Sequence, residues 1–195
     1  GVQTCALPIW QMSEDSVLQR LLMSDALPAV SILVPAHNED VTITASVLSF
    51  LTLQYPRFEV VLVNDGSTDR TLEVLVREFD LYQVPAAYPR TITTQAVRGV
   101  YRSRLHSKLV VIDKANGGKA DSLNAALDAA RYPYVLAVDA DTLVESDALV
   151  RLARPFLLGV PVAAVGGTIR VANSCRGEMG RVVDRKSTRL NSSHM

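Results

Sequence analysis

The chain has few cysteines, no excess of charge of either sign and no long hydrophobic run, and each absence excludes a class of protein. Two cysteines among 195 residues, Cys5 and Cys175, cannot form a disulfide framework and are typical of a reducing compartment. The 20 basic residues balance the 20 acidic ones, so no nucleic-acid partner is indicated. The most apolar stretch, residues 152–165, is shorter than the roughly twenty residues that a membrane span needs.

Two common cofactor signatures are also missing. No G-x-G-x-x-G follows the first predicted strand, which disfavours a nicotinamide or flavin cofactor. The loop Asn116-Gly117-Gly118-Lys119 is glycine-rich, but Ala120 stands where a Walker A loop has Ser or Thr. The three histidines, at positions 37, 106 and 194, lack the spacing of a zinc site.

The two ends of the chain differ in character from the segment between them. Residues 1–11 begin without an initiator Met, and residues 185–195 are polar and show no periodicity. We interpret both as segments foreign to the gene, similar to translated sequencing-adapter sequence, with natural flexible tails as the alternative. Between them we predict a helical lead-in over residues 12–29 and one domain over residues 30–183.

Strands and helices are predicted to alternate through this domain. Short apolar runs typical of buried strands occur at residues 30–34, 60–63, 109–112, 135–138 and 162–165. Apolar residues spaced three or four apart predict helices over residues 43–51, 72–79, 119–131 and 146–157. Residues 81–108 contain prolines and several basic residues, and there we expect mostly loop with one short strand. The alternation predicts a doubly wound α/β fold with a mainly parallel sheet.

The apolar run at 135–138, which we expect to be buried on both faces, ends in two carboxylates, Asp139 and Asp141. Ligands of open α/β sheets bind beyond the carboxyl ends of the strands. Side chains two residues apart on an extended chain share one side, so both carboxylates are predicted to face one cation. Mg²⁺ and Mn²⁺ prefer such oxygens and share them with phosphates. The alternative is a pair of aspartates that only ends a strand in a turn.

Three more polar clusters follow predicted strands, so four clusters are expected at one edge of the sheet. Asp65 can accept a hydrogen bond from the N–H of a base, or it is only a turn former. Lys119 follows two glycines at a helix start, where it can approach a phosphate, or it is a solvated charge. The loop from Pro35 to Glu39 is predicted to contact a nucleoside, or to cap a helix through Asn38. We interpret His37 in this loop as a surface residue without a catalytic role.

Five stretches carry a resemblance to a known family. They are SILVPAHNED (31–40), EVVLVNDGSTDRTLEVL (59–75), KANGGKADSLNAAL (114–127), YVLAVDADTL (134–143) and AVGGTIRV (164–171). The segment from about Val30 to Val171 resembles the family 2 glycosyltransferases, which have the GT-A fold. The third and fifth stretches are most similar to the membrane-embedded, processive branch that makes chitin, hyaluronan, cellulose and poly-N-acetylglucosamine.

The resemblance implies a donor site for a nucleotide-sugar, a UDP-sugar. It assigns Asp139 and Asp141 to Mg²⁺ or Mn²⁺ on the donor diphosphate, with Asp139 also in contact with the substrate, and counts both as catalytic. It implies that Asp65 contacts uracil and that Lys119 lies near the phosphates. The residues implied to line the nucleoside site are Pro35, Ala36, Asn38 and Glu39. The implied reaction is inverting transfer of the sugar to a carbohydrate acceptor, assisted by a general base and by the metal as a Lewis acid.

The chain departs from the family pattern after the two aspartates. The family's general base lies in a T/E-D motif and its acceptor motif is Q-x-x-R-W. Adjacent Glu-Asp pairs occur here only at residues 14–15 and 39–40, and the only Trp is Trp10. We therefore expect a donor-binding fragment, without the general base and the acceptor half. Its parent is expected in a bacterial cell membrane with this domain on the cytoplasmic side.

Two other functions stay open at the level of sequence. A metal-dependent nucleotidyltransferase would also place acidic metal ligands on an α/β sheet. Such enzymes usually have a glycine-rich basic loop after the first strand, and PAHNED contains no glycine. A non-catalytic nucleotide-binding domain is compatible with the missing acceptor half.

Overall fold

The computed structural model of the chain describes residues 27–157 and 162–167. The two flanks and most of the predicted lead-in lie outside the described residues. Within 30–157, strands and helices alternate along the chain. They are β1 (Val30–Ala36), α1 (Ile43–Leu51), β2 (Phe58–Asp65), α2 (Thr71–Glu78), β3 (Leu81–Val84), β4 (Val97–Ser103), β5 (Leu109–Lys114), α3 (Lys119–Ala129), β6 (Tyr134–Ala137) and α4 (Ala148–Leu157).

The described strands form one sheet of six, in the order β3-β4-β5-β2-β1-β6. β5, β2, β1 and β6 run parallel, and β3 and β4 are antiparallel to their neighbours. The mainly parallel sheet predicted from the sequence is confirmed. Because parallel strands end at the same edge, the carboxyl ends of β1, β2, β5 and β6 lie side by side.

Helices cover both faces of this sheet, as expected for a doubly wound fold. On one face, Val34 of β1 packs in a cluster with Phe50 of α1 and Leu75 of α2. On the other face, Leu33 of β1 packs with Val63 of β2 and with the small residues of α3. Successive residues of a strand point to opposite faces, so continuous apolar runs fill both clusters. Each fully buried large side chain contributes about 1.5–3 kcal/mol.

Residues 81–108 are mostly loop, as predicted, but they contribute two strands, β3 and β4, where one short strand was expected. β4 (VRGVYRS) has three buried residues and carries Arg98 and Arg102, and its register shifts between Val97 and Gly99. An antiparallel strand near an edge needs only one buried face. It therefore lacks the unbroken apolar run by which the central strands are recognised.

Two predictions about the end of the domain are also wrong. β6 is not buried on both faces, since Tyr134 and Val135 are 41% and 49% exposed. β6 pairs with β1 alone among the described strands, so its other edge and much of its surface stay uncovered. Residues 162–165 are apolar but form no strand in the structure. An apolar run becomes a strand only where a partner completes the hydrogen bonds, and no described strand pairs with these residues.

Candidate functional site

A cleft of about 370 Å³ opens at the carboxyl edge of the sheet, where ligands bind in open α/β folds. It is lined by residues that follow β1, β2, β5 and β6 and by the first turn of α3. Seven of the eight predicted site residues line it: Pro35, Ala36, Glu39, Asp65, Lys119, Asp139 and Asp141. The other lining residues are His37, Asn116, Gly118, Ser122 and Ala140.

The loop after β1 is held in place by the loop after β2. Asn38, the predicted site residue that does not line the cleft, has a positive φ of 56°. Its Oδ1 accepts hydrogen bonds from the backbone N–H of Thr68 at 2.8 Å and of Asp69 at 3.4 Å. The backbone N–H of Glu39 donates to Thr71 Oγ1 at 2.8 Å. Asn38 therefore shapes the loop whose neighbours line the cleft, and it does not cap α1.

Asp65 at the end of β2 is buried, and its carboxylate is held by three donors. Oδ1 accepts from the Lys114 ammonium and from the N–H of Gly117 at 2.9 Å, and Oδ2 accepts from the N–H of Gly118 at 2.7 Å. Burial alone would raise the pKa of Asp65, but these bonds outweigh it and hold the pKa below its usual 3.8. The ionised carboxylate thus stabilises the fold above that value, and this contribution is lost as the pH falls through the lowered pKa.

The turn after β2 contacts the loop after β5 so closely that only glycine fits. Gly66 has a φ of +58°, and a Cβ added there would lie 2.6 Å from the backbone nitrogen of Asn116. Asn116 Nδ2 donates to the Asp65 carbonyl oxygen at 3.0 Å, and His37 Nδ1 lies 2.8 Å from the same oxygen. Three loops are thereby joined at the floor of the cleft.

Lys119, the first residue of α3, forms an ion pair with one of the two aspartates after β6. Its Nζ lies 2.5 Å from Asp139 Oδ1, with the two side chains 63% and 56% exposed. The pair is therefore screened by solvent and contributes no more than about 1 kcal/mol to stability. Its importance is positional: a cation already lies against Asp139 at the start of a helix, where anions are favoured.

Asp139 and Asp141 do not lie on an extended chain. The N–H of Thr142 donates to the carbonyl oxygen of Asp139 at 3.1 Å, which closes a turn over residues 139–142. The prediction that the two carboxylates share one side because the chain is extended is therefore wrong in its reason. Both residues nevertheless line the cleft, with Ala140 buried between them. Within residues 27–157 and 162–167, no group of three or more His, Cys, Asp or Glu side chains is placed to hold a metal.

The model of the family described as glycosyl transferase family 2 matches residues 31–193 of the chain. The chain belongs to this family. The match covers the strands of the sheet except for Val30, the first residue of β1, and it includes all the residues that line the cleft. The glycosyltransferase family expected from the five sequence stretches is therefore confirmed, and the α/β fold class agrees with it.

Two relatives share one name. The poly-beta-1,6-N-acetyl-D-glucosamine synthase of Staphylococcus epidermidis is 29% identical over 145 residues, which is 74% of this chain and 29% of the relative. The protein of the same name from Staphylococcus aureus (strain COL) is 29% identical over 150 residues, covering 76% of this chain and 30% of the relative. This glycosyltransferase chain thus spans less than a third of their length.

Two solved structures are similar to the described fold. The structure of S. aureus TarS 1–349 in complex with UDP-GlcNAc has a TM-score of 0.48 and 28% identity, covering 65% of this chain and 30% of that one. The mannosyltransferase PcManGT from Pyrobaculum calidifontis, in complex with GDP-Man and Mn²⁺, has a TM-score of 0.47 and 26% identity. The similarity covers 68% of this chain and 36% of that one.

Sequence reasoning missed four residues at or beneath the site of this glycosyltransferase. His37 was interpreted as a surface residue; it is exposed, but it lines the cleft. Asn116 lies in the predicted glycine-rich loop and Ser122 in the predicted helix over residues 119–131, and neither was expected to line the site. Lys114, which ends the apolar strand β5, belongs to none of the predicted site clusters. The signal that could have found it is its position beside Asp65 once β2 and β5 are paired in parallel.

Proposed function

We propose that the chain binds a UDP-sugar in the cleft at the carboxyl edge, and that its parent transfers the sugar with inversion to a growing polysaccharide. The observation that carries this proposal is that Asp65, Lys119 and Asp141, from three distant segments, line one cleft. Membership of glycosyl transferase family 2 supplies the class of reaction. None of the helices in residues 27–157 combines the length and hydropathy that a membrane crossing requires.

The nucleoside is proposed to lie against the loop after β1 and against Asp65. A carboxylate has about four acceptor positions, and three bonds from Lys114, Gly117 and Gly118 occupy most of those of Asp65. The remaining one suits the single N3–H of uracil. Pro35, Ala36 and Glu39 would then line the nucleoside site.

The diphosphate is proposed to lie between Lys119 and the two aspartates. Asp139 already accepts a cationic group at 2.5 Å, and its exposure leaves room for another. Two carboxylates fit Mg²⁺ or Mn²⁺, since Mg²⁺ is commonly held by one or two carboxylates with substrate phosphates and water as further ligands. Asp139 and Asp141 would hold this ion, which when bound supplies Lewis-acid stabilisation of the leaving diphosphate. Lys119 would add its positive charge from the helix start.

The acceptor and the polymer are proposed from the family relatives. The name of these synthases supports N-acetylglucosamine as the transferred sugar and a polysaccharide as the product. Because the chain spans 29–30% of these relatives, the general base and acceptor site are expected in the rest of the parent protein. By the same resemblance we expect the parent in the cell membrane, with the cleft on the cytoplasmic side.

A calorimetric titration of the purified chain with UDP, ADP and GDP, each with and without Mn²⁺, tests the proposal. We expect UDP to bind tightest and Mn²⁺ to strengthen its binding. A preference for ADP or GDP would contradict the uracil assignment. If UDP binds with equal affinity with and without Mn²⁺, the metal site is contradicted and a nucleotide-binding domain without a metal is supported. No binding of any nucleotide would refute the donor site.

A further inference from the structure

Lys114 is fully buried at the end of β5, outside the lining of the cleft, and its ammonium is held by two carboxylates. It donates hydrogen bonds to Asp65 Oδ1 and to the carbonyl oxygen of Ala115 at 2.8 Å, and it forms an ion pair with Asp121 Oδ2 at 2.6 Å. Three oxygen atoms therefore surround an ammonium that has three N–H donors. A buried cation with this set of partners persists because the partners offset its desolvation.

The two carboxylates that hold Lys114 also bind backbone N–H groups of neighbouring loops. The Asp65 carboxylate accepts hydrogen bonds from the backbone N–H groups of Gly117 and Gly118, which directly precede Lys119 in the chain. Asp121 accepts from the backbone N–H of Gln95 at 3.1 and 3.2 Å, which fixes the segment before β4. Removal of the Lys114 charge would leave these carboxylates facing one another without a cation between them. Two negative charges at such a short separation repel each other strongly where solvent is excluded.

We propose that Lys114 is a positioning residue for nucleotide binding: its buried ammonium sets the orientation of the Asp65 carboxylate and, through Gly117 and Gly118, the position of Lys119. The proposal rests on the function proposed above. Lys114 acts through Asp65, because it does not line the cleft itself. Lys114 thus connects Asp65, which is proposed to bind the base, with Lys119, which is proposed to contact the diphosphate.

The protonation state of Asp65 distinguishes a role of Lys114 in positioning Asp65 from a role of Lys114 in packing alone. The charged or titratable groups that face Asp65 are Lys114 from β5, Asp121 beside it on α3, and His37 after β1. Glu39, Lys119, Asp139 and Asp141 line the same cleft. Without the ammonium, burial and repulsion by Asp121 would raise the pKa of Asp65 from its present lowered value. A protonated Asp65 accepts fewer hydrogen bonds, so nucleotide affinity would fall as the pH decreases through the raised pKa.

The test compares Lys114→Met and Lys114→Arg with the unaltered chain by calorimetric titration of UDP from about pH 5 to about pH 8. We expect Lys114→Met to weaken UDP binding about tenfold or more at the acid end and less at the alkaline end. Lys114→Arg keeps the charge and should restore most of the pH profile. The three proteins differ only at position 114, so every other side chain is common to the comparison.

Lys108→Met is the matched control. Lys108 is a half-buried lysine just before β5. Its Nζ lies 3.7 Å from the ring centre of Phe58, the first residue of β2, so it lies at the opposite end of these strands from the carboxyl edge. Its removal should lower the melting temperature without changing the pH profile of UDP binding. A folded Lys114→Met protein that binds UDP like the unaltered chain at every pH would overturn the proposal. So would an equal, pH-independent loss in Lys114→Met and Lys114→Arg.

Two further measurements keep the proposal testable. If Lys114→Met does not fold, the double variant Lys114→Met with Asp121→Asn removes the repulsion as well as the cation. Weakened UDP binding there supports the proposal, and unchanged binding overturns it. If the unaltered chain binds no UDP, the proposed function fails, and amide hydrogen exchange at Gly117 and Gly118 decides instead. Faster exchange in the charge-removed variant, but not in Lys108→Met, supports positioning by Lys114, and unchanged exchange overturns it.

Discussion

Lys119 Nζ and Asp139 Oδ1 lie 2.5 Å apart, so a basic residue from the start of α3 neutralises one of the two aspartates after β6. Both side chains are more than half exposed, and the pair contributes little to stability. A divalent cation would therefore compete with Lys119 for Asp139, and a diphosphate would compete with Asp139 for Lys119.

Replacement of Lys119 by Met should have opposite effects on the binding of a divalent cation to Asp139 and on the binding of a diphosphate at Lys119. We expect higher affinity for Mn²⁺ without nucleotide, because the competing ammonium is gone, and lower affinity for UDP without metal. Titration calorimetry of each ligand alone measures both, and the melting temperature should hardly change. Unchanged affinities for both ligands would remove Lys119 from the diphosphate site.

Asp141→Asn should weaken Mn²⁺-dependent UDP binding far more than metal-free UDP binding. The amide keeps the size of the side chain and loses the charge that a hard cation prefers. The matched control is Glu145→Gln, which removes an exposed carboxylate that pairs with Arg151 and does not line the cleft. An equal loss with and without Mn²⁺ would argue against Asp141 as a metal ligand.

Asp65→Asn should narrow the preference for UDP over CDP, because cytosine lacks the N3–H donor of uracil. A hydrogen bond to a charged group is worth about 1.5–3 kcal/mol, which sets the expected change in the ratio of the two affinities. Asp121→Asn serves as the control, since it disturbs the same buried lysine without lining the cleft. If the UDP to CDP ratio is the same in Asp65→Asn and in the unaltered chain, Asp65 only shapes the loop.

Ser122→Ala should leave the fold at least as stable as before. Ser122 is fully buried, and its hydroxyl has no hydrogen-bond partner in the part of the chain that the structure describes. A buried hydroxyl without a partner is destabilising, so its removal should raise the free energy of unfolding by about 1 kcal/mol. Denaturant unfolding measures the change.

Ser103→Ala is the contrasting variant. Its buried hydroxyl donates to the carbonyl oxygen of Phe79 at 2.6 Å and accepts from the N–H groups of Leu105 and His106. Its loss should lower the free energy of unfolding by about 1–3 kcal/mol. Equal destabilisation by the two substitutions would show that Ser122 has a partner, such as bound water.

The chain alone should build no polymer from UDP-N-acetylglucosamine. General-base assistance typically contributes about 10²–10⁴ in rate, and acceptor positioning can contribute more. Neither the T/E-D motif nor the Q-x-x-R-W motif follows Asp141. Incubation with radiolabelled donor, Mn²⁺ and oligosaccharide primers measures this, with heat-denatured chain as the background. Polymer above background would place acceptor machinery within residues 166–183.

Several features of the fold and site follow from local sequence. The runs at 30–34, 60–63 and 109–112 are apolar without interruption, and such runs are stable only between covered faces, so β1, β2 and β5 were predictable as central parallel strands. Because parallel strands share an edge, Asp65 and Asp139 could be expected at one cleft. The weakly patterned strand β4 could not be recognised, since only three of its residues are buried and two of these, Gly99 and Ser103, are not large apolar residues.

The sequence by itself determined the parallel core, the family and the edge where polar residues gather, because these depend on hydrophobic periodicity and on the order of strand ends. Only the tertiary structure decided the partners of those polar residues. Nothing in the sequence near Asp65 states that its carboxylate binds Lys114 and the N–H groups of Gly117 and Gly118, which lie 49 to 53 residues away. Such contacts depend on strand register and loop conformation, which non-local packing sets, whereas the apolar pattern is local.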